Sequence, residues 1–361
     1  MRRLAPVAVA LVVVAMAAHA LADTEIDTCG QIFSGSGFLS GNLDCTGFPN
    51  SAVTIEGGKL DLRGFTLTGG GIRCTRSCSV VSAPAGGRIT GSSLGGIYSP
   101  TLAAKARINV SGVVVDANGE TGIHSNSGKV IVTDSIVTNS AGPGVGADRK
   151  VQVEGSTISN NGTYGVVGTR VRVDSSSVSD NGGSGVFARR AAVLSSEITG
   201  NGGEGITTDE RTSIVDTEVS NNTGYGVIAF GGLKMVRSTV AANGEDGIWI
   251  TERSRVTDCT IMDNGGHGVE AWVEPLRMTR TTIVGNALSG VEAGAAFNNC
   301  GFGAVDSTFI GNGTDSNCGV SQTCADVATC EPPNLVRVVC ETSYDTGSGF
   351  PGTSWQVCSL D

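Results

Sequence analysis

Basic residues are scarce in this chain. Lysine and arginine number 24 against 34 aspartates and glutamates, a formal net charge of −10. A binder of nucleic acid or anionic membrane needs a basic footprint, so the overall balance argues against both partners. Histidine is rarer still, with His19, His124 and His267 alone. Zinc sites of mixed Cys and His type are therefore disfavoured, because the two later histidines lie far from the cysteine clusters. Helical periodicity is almost absent, and no apolar run after Ala18 is long enough to span a bilayer. The run that does exist, Leu4–Ala18, follows Arg2 and Arg3 and precedes Ala20-Leu21-Ala22. That pattern reads as a signal peptide over residues 1–22, cleaved before Asp23, and predicts a secreted, periplasmic or cell-surface protein. The leader takes 2 of the 24 basic residues with it, which leaves 22 against 34 acidic ones and a net charge of −12.

Glycine is abundant, at 54 residues, and much of it is periodic. The strings NGETGI (Asn118–Ile123), NGTYGV (Asn161–Val166), NGGSGV (Asn181–Val186) and NGGEGI (Asn201–Ile206) share one pattern, which continues as NTGYGV, NGEDGI, NGGHGV and NALSGV. The glycine before the aliphatic residue returns every 20 to 22 residues from Gly122 to Gly290. A period of that size means stacked supersecondary units. Within a unit such as Arg170–Phe187, Val171 and Val173 alternate with Arg170 and Arg172, which marks half-buried strands, and Asn and Gly mark the turns. Strands this short cannot close a core alone, but stacked coils can. Asn118, Asn161, Asn181, Asn201, Asn222, Asn243, Asn264 and Asn286 occupy one column and should form a buried amide ladder.

These repeats resemble those of right-handed parallel β-helix proteins of the pectate-lyase-like superfamily, and LDLRGFTLTG (Leu60–Gly69) is similar to the opening coil of many exported bacterial members. The resemblance implies an all-β solenoid of about ten to twelve coils. Residues 23–64 read as an N-terminal cap and first coil, 65–311 as repeats, and 312–361 as a Cys-rich C-terminal cap. Export makes disulfides the default for the 11 cysteines. They cluster as Cys29/Cys45, Cys74/Cys78 and six from Cys300 to Cys358. Cys259 stands apart, in a column otherwise filled by Ser156, Ser176, Ser196, Thr217, Ser238 and Thr281, and reads as a small buried thiol.

The fold hosts many activities, so function must come from particular residues. The outward column after each Gly-Ile/Val pair includes Trp249, Glu270 and Glu292, and Trp272 lies two positions past Glu270. Glu270 and Glu292 should sit one coil apart, where mutual repulsion separates acid from base roles. They are the candidate catalytic pair. Trp249 and Trp272 offer flat faces for sugar rings. His267, within Gly266-His267-Gly268, resembles one element of polygalacturonase-type hydrolases, but their Asn-Thr-Asp, Asp-Asp and Arg-Ile-Lys elements are missing. The Asp-Pro-His-Asp motif of alginate epimerases is missing too. No cofactor is implied. Ca²⁺ is the one ion for which oxygens are at hand, at Asp209, Glu210 and Asp216, though it needs six or more that converge. Three readings follow. The first is a non-catalytic binder of a polysaccharide or cell-envelope surface. The second is a polysaccharide-active lyase, hydrolase or epimerase with a non-standard site. The third is a stiff spacer. The oligomeric state is left open.

Overall fold

The computed structural model describes residues 23–100, 106–272, 276–293, 302–305, 307–313 and 338–340. The leader at 1–22 and the pairing of the cysteines from Cys300 onward lie outside them. The described chain is a parallel β solenoid of about 12 turns. One coil, Val186–Thr199, shows how it is built. Val186–Leu194 runs along one side, bends near Arg189, and ends at Ser195, whose φ of 47° turns the chain left-handed. Glu197–Thr199 forms the second wall, and Gly200 (φ 66°) makes the next corner before the Asn-Gly turn. The equivalent strands of successive coils pair in parallel and in register, as Val178↔Ile198↔Val219 shows. The result is one 22-stranded and one 14-stranded sheet, the second ending in the short strands Leu43–Asp44 and Val338–Cys340. Thr24–Ile26, Gln31–Leu39 and Val53–Asp61, in the stretch read as cap and first coil, pair in the larger sheet.

Inside, each coil contributes β-branched residues at fixed positions. Ile97, Ile123, Val145, Val166, Val186, Ile206, Val227, Ile248, Val269 and Val291 form one buried column. Their restricted χ1 suits a column in which every neighbour is also β-branched. Each such burial is worth about 1.5–3 kcal/mol relative to exposure. Outside the core, the corners need positive φ, and Asn139, Asn160, Asp180, Asn221 and Asp263 supply it at 53–56°. Asn and Asp tolerate that region better than other side chains. The repeat glycines do something different. A Cβ on Gly205 would lie 2.5 Å from Val219, 2.6 Å from the Gly226 carbonyl and 2.8 Å from Asn222 Nδ2. These glycines let the next coil approach.

The amide ladder is present, with one gap and one extra rung. From Asn161 to Asn286 each Nδ2 donates to the Oδ1 of the Asn one coil on, at 2.8–3.0 Å. The last acceptor is Asn312, the residue at which the C-terminal cap was placed. Asn118 is buried in the column, but the following coil has Ser140 there. Its hydroxyl is too short to reach, and both Asn118 Nδ2 and Ser140 Oγ are buried without a hydrogen-bond partner. A second column of hydroxyls accepts backbone N–H groups between coils, for example Ser156 N to Ser176 Oγ at 3.1 Å. Cys259 stands in that column as the one free cysteine among the described residues, buried, with Sγ donating to the Thr257 carbonyl at 3.1 Å. Burial pushes its thiol pKa up. Two disulfides, Cys29–Cys45 and Cys74–Cys78, staple the first coils; export led disulfides to be expected, and each bridge closes within one of the sequence clusters.

Ser140→Asn should complete the ladder by giving Asn118 Nδ2 an acceptor, and should raise unfolding free energy by about 1 kcal/mol. Asn201→Ala leaves the backbone N–H of Asn181 without its acceptor and removes one of the two bonds of Asn181 Nδ2, which keeps the Ile158 carbonyl, and should cost about 2 kcal/mol. Equilibrium urea unfolding of both variants tests the ladder; no change in either would show that the amides contribute nothing.

Candidate functional site

Strand register fixes which residues share the outward face. The column runs Phe187↔Thr207↔Ile228↔Trp249↔Glu270↔Glu292 on successive coils. Glu270 and Glu292 are therefore adjacent, as the alternation predicted, with Trp249 on the coil before them. Trp272 joins from two residues further along its strand. Its indole Nε1–H donates to Glu270 Oε1 at 2.7 Å. The rings of Trp249 and Trp272 are 6.4 Å apart at 54°. Phe230 extends the strip, 5.0 Å from Trp249 and edge-on at 72°. Phe230 is 45% and Trp272 52% exposed, so ring surface at both ends of the strip is open to solvent.

A further carboxylate, Asp246, also lies against Glu270. Asp246 is a buried residue of the neighbouring turn, and its side chain hydrogen-bonds Glu270. Burial is the main cause that raises the pKa of Glu270, and hydrogen bonding to Asp246 and its charge raise it further. The Trp272 indole opposes the shift. Burial also raises the pKa of Asp246, and a hydrogen bond from the His267 backbone lowers it. Tyr225 belongs to the same group. Its hydroxyl pKa is pushed up to about 12, first by burial and then by Glu245, Asp246 and Glu270.

Tyr225, Asp246, His267 and Ser289 are equivalent turn residues of four successive coils, as the bonds to their carbonyls from Gly205, Gly226, Gly247 and Gly268 show. The His267 N–H donates to Asp246 Oδ1 at 2.6 Å, and the Ser289 N–H donates to His267 Nδ1 at 3.2 Å. Glu292 lies 3.5 Å from Ser289 Oγ. The alternation rule found Trp249, Glu270, Glu292 and Trp272 but missed Asp246 and Tyr225. The signal was their shared phase with His267, in a turn column whose residue types vary.

The calcium candidates do not converge. Glu210 is held by Arg189 and Arg190, and the Arg190 bond holds its carboxyl below the usual range. Asp216 takes a two-pronged bond from Arg237, with both contacts at 2.7 Å. Among the described residues no three His, Cys, Asp or Glu gather around a common point.

Several solved structures are similar in fold at low identity. The A-module of the mannuronan C-5 epimerase AlgE6 of Azotobacter vinelandii is 17% identical, with a TM-score of 0.47 over 83% of this chain and 88% of that one. A periplasmic alginate epimerase, AlgG, is 13% identical, with a TM-score of 0.39 over 73% and 72%. Pectate lyase Pel9A is 15% identical, with a TM-score of 0.30 over 81% and 72%. No curated protein matches the chain. Residues 64–223 and 167–325 match the family described as "Right handed beta helix region". The overlapping matches cover most of the stack described above, and the chain belongs to that family of right-handed parallel β-helix proteins.

Proposed function

We propose that the protein is an extracytoplasmic glycan-binding β-helix whose later coils hold a neutral polysaccharide along Phe230, Trp249 and Trp272. The aromatic strip beside hydrogen-bonding carboxyls carries this reading. Sugars present flat C–H faces that stack on aromatic rings, and hydroxyls that pair with carboxyl groups. Glu245, Asp246, Glu270 and Glu292 make the surroundings acidic, which favours a neutral chain over an anionic one. The indole bond from Trp272 fixes the Glu270 carboxyl beside the strip. The two disulfides fit an oxidising compartment. Trp249→Ala and Trp272→Ala should each weaken binding to a neutral glycan roughly tenfold, about 1.4 kcal/mol. Affinity electrophoresis across a panel of neutral polysaccharides tests it, and wild-type mobility for both variants on every retarding glycan would refute the strip.

A second reading, a polysaccharide-active enzyme, is favoured by one observation. Burial and the neighbouring Asp246 carboxyl raise the pKa of Glu270. That is the arrangement of a general acid. An assay for new reducing ends and unsaturated uronate, repeated with Glu270→Gln and Glu292→Gln, tests this reading. Product lost in Glu270→Gln supports it, and no product from any substrate rejects it.

The raised pKa also links the site to stability. A carboxyl whose folded pKa exceeds its unfolded value stabilises the fold at low pH, and that contribution is lost as pH rises through the folded value. The Asp246–Glu270 pair should therefore destabilise the wild type at pH 8 relative to pH 4. Glu270→Gln keeps an oxygen for the Trp272 indole and removes the repulsion. Its melting temperature should exceed wild type by a few degrees at pH 8, with the difference closing near pH 4. An equal difference at both pH values would show that the pair is not coupled.

A further inference from the structure

Six of the sixteen arginines among the described residues pair with a carboxylate. Arg88 pairs with Asp116, Arg172 with Asp174, Arg189 and Arg190 with Glu210, Arg237 with Asp216 and Arg280 with Asp258. One long row of cations, beside a cleft, is almost without such partners. Register aligns Arg107 with Lys129, Lys129 with Lys150, Lys150 with Arg170, and Arg170 with Arg190. One cation thus occupies the same outward position on five successive coils, about 4.8 Å apart. Only the last, Arg190, is paired; the ion pairs of the described residues include none to Arg107, Lys129, Lys150 or Arg170. The first four, with Arg149, line a shallow cleft in which Asp148 is the one carboxylate. Burial, Lys150 and Arg107 lower the pKa of the Lys129 ammonium.

A row of like charges at coil spacing works against folding at every step, and a protein with 34 acidic residues has ample carboxylates with which to neutralise it. The arrangement therefore points outward, to an anion. We infer that the Arg107–Lys129–Lys150–Arg170 row binds an extended acidic polysaccharide with one carboxylate or sulfate per sugar, lying along the solenoid axis. An extended glycan advances per sugar by a distance close to the coil spacing, so each step meets one cation. The two arginines offer forked donors and the two lysines compact point charges, both suited to carboxylate or sulfate. Duplex DNA fits less well, because each strand repeats its phosphate every 3.4 Å or so and winds away from a straight row. The row lies on earlier coils than the aromatic strip, which begins at Phe230, and on a different strand position. The surface is therefore separate from the neutral-glycan site proposed above.

Titration calorimetry of the mature protein tests this, with polygalacturonate, a heparin-type sulfated glycan, dextran and duplex DNA as probes. At least one anionic glycan should bind, and binding should weaken at least tenfold between about 0.05 and 0.5 M NaCl, where exposed charges are screened. Lys129→Gln/Lys150→Gln should lose at least tenfold in affinity. Lys129→Arg/Lys150→Arg should retain it. Lys234→Gln/Arg255→Gln, a basic pair off the row's register, should be unaffected. Comparing polygalacturonate with the sulfated chain decides which anionic group is preferred. The glutamine variant relieves repulsion, so its melting temperature should not fall below wild type, which separates lost binding from lost folding. The inference is overturned if neither anionic glycan binds, if the glutamine variant binds like wild type, or if DNA binds more tightly than both glycans.

Discussion

Parallel backbone pairing between successive coils governs the rest of this molecule. Each coil bonds to the next in register, so a residue type that recurs every 20 to 22 positions becomes a straight column in space. Whatever a position does, it does beside its own copies. Isoleucine and valine columns become a continuous core, and asparagines become an amide ladder that serves the turn backbone and the next side chain together. Glycines become the gap through which neighbouring coils meet. A change at one position is felt by two neighbours, which is why a single serine at 140 leaves groups orphaned on two coils.

The same rule assembles the candidate site from residues that are distant along the chain. Phe230, Trp249 and Trp272 come from three coils, and Tyr225, Asp246, His267 and Ser289 from four. Two columns meet there, one on the strand face and one in the turn. The strand column brings aromatic surface and carboxyls that point outward. The turn column brings backbone N–H groups that fix Asp246 and His267. Burial in the turn and proximity across the corner shift the acidities together, which neither column would achieve alone.

The period, the inward aliphatics and the Asn column were legible in the sequence because each is a repetition, and repetition survives without knowledge of structure. Alternation along the strand also placed Trp249, Glu270 and Glu292 in one row. Asp246 was not legible as the partner of Glu270. It occupies a turn column of mixed residue types, and its role depends on burial across a corner that strand alternation does not describe. The row from Arg107 to Arg190 was hidden for another reason. Net charge sums over the whole chain, and an acidic total masks cations that lie about one coil apart in sequence and become neighbours only through register. Ser140 likewise reads as a harmless variation until the asparagines on either side are seen to need it.

The solenoid is held together by different means along its length. Both described disulfides lie before Asn118, and the unbroken amide ladder starts at Asn161. Between Cys78 and Asn161 lies a stretch with neither. The molecule is thus a composite rod, cross-linked covalently at its start and clamped by stacked amides further on. Reducing agents would loosen the first portion and leave the second, while strong amide competitors such as urea would act most on the second. The seam near Ser140 is where the two portions would part under load.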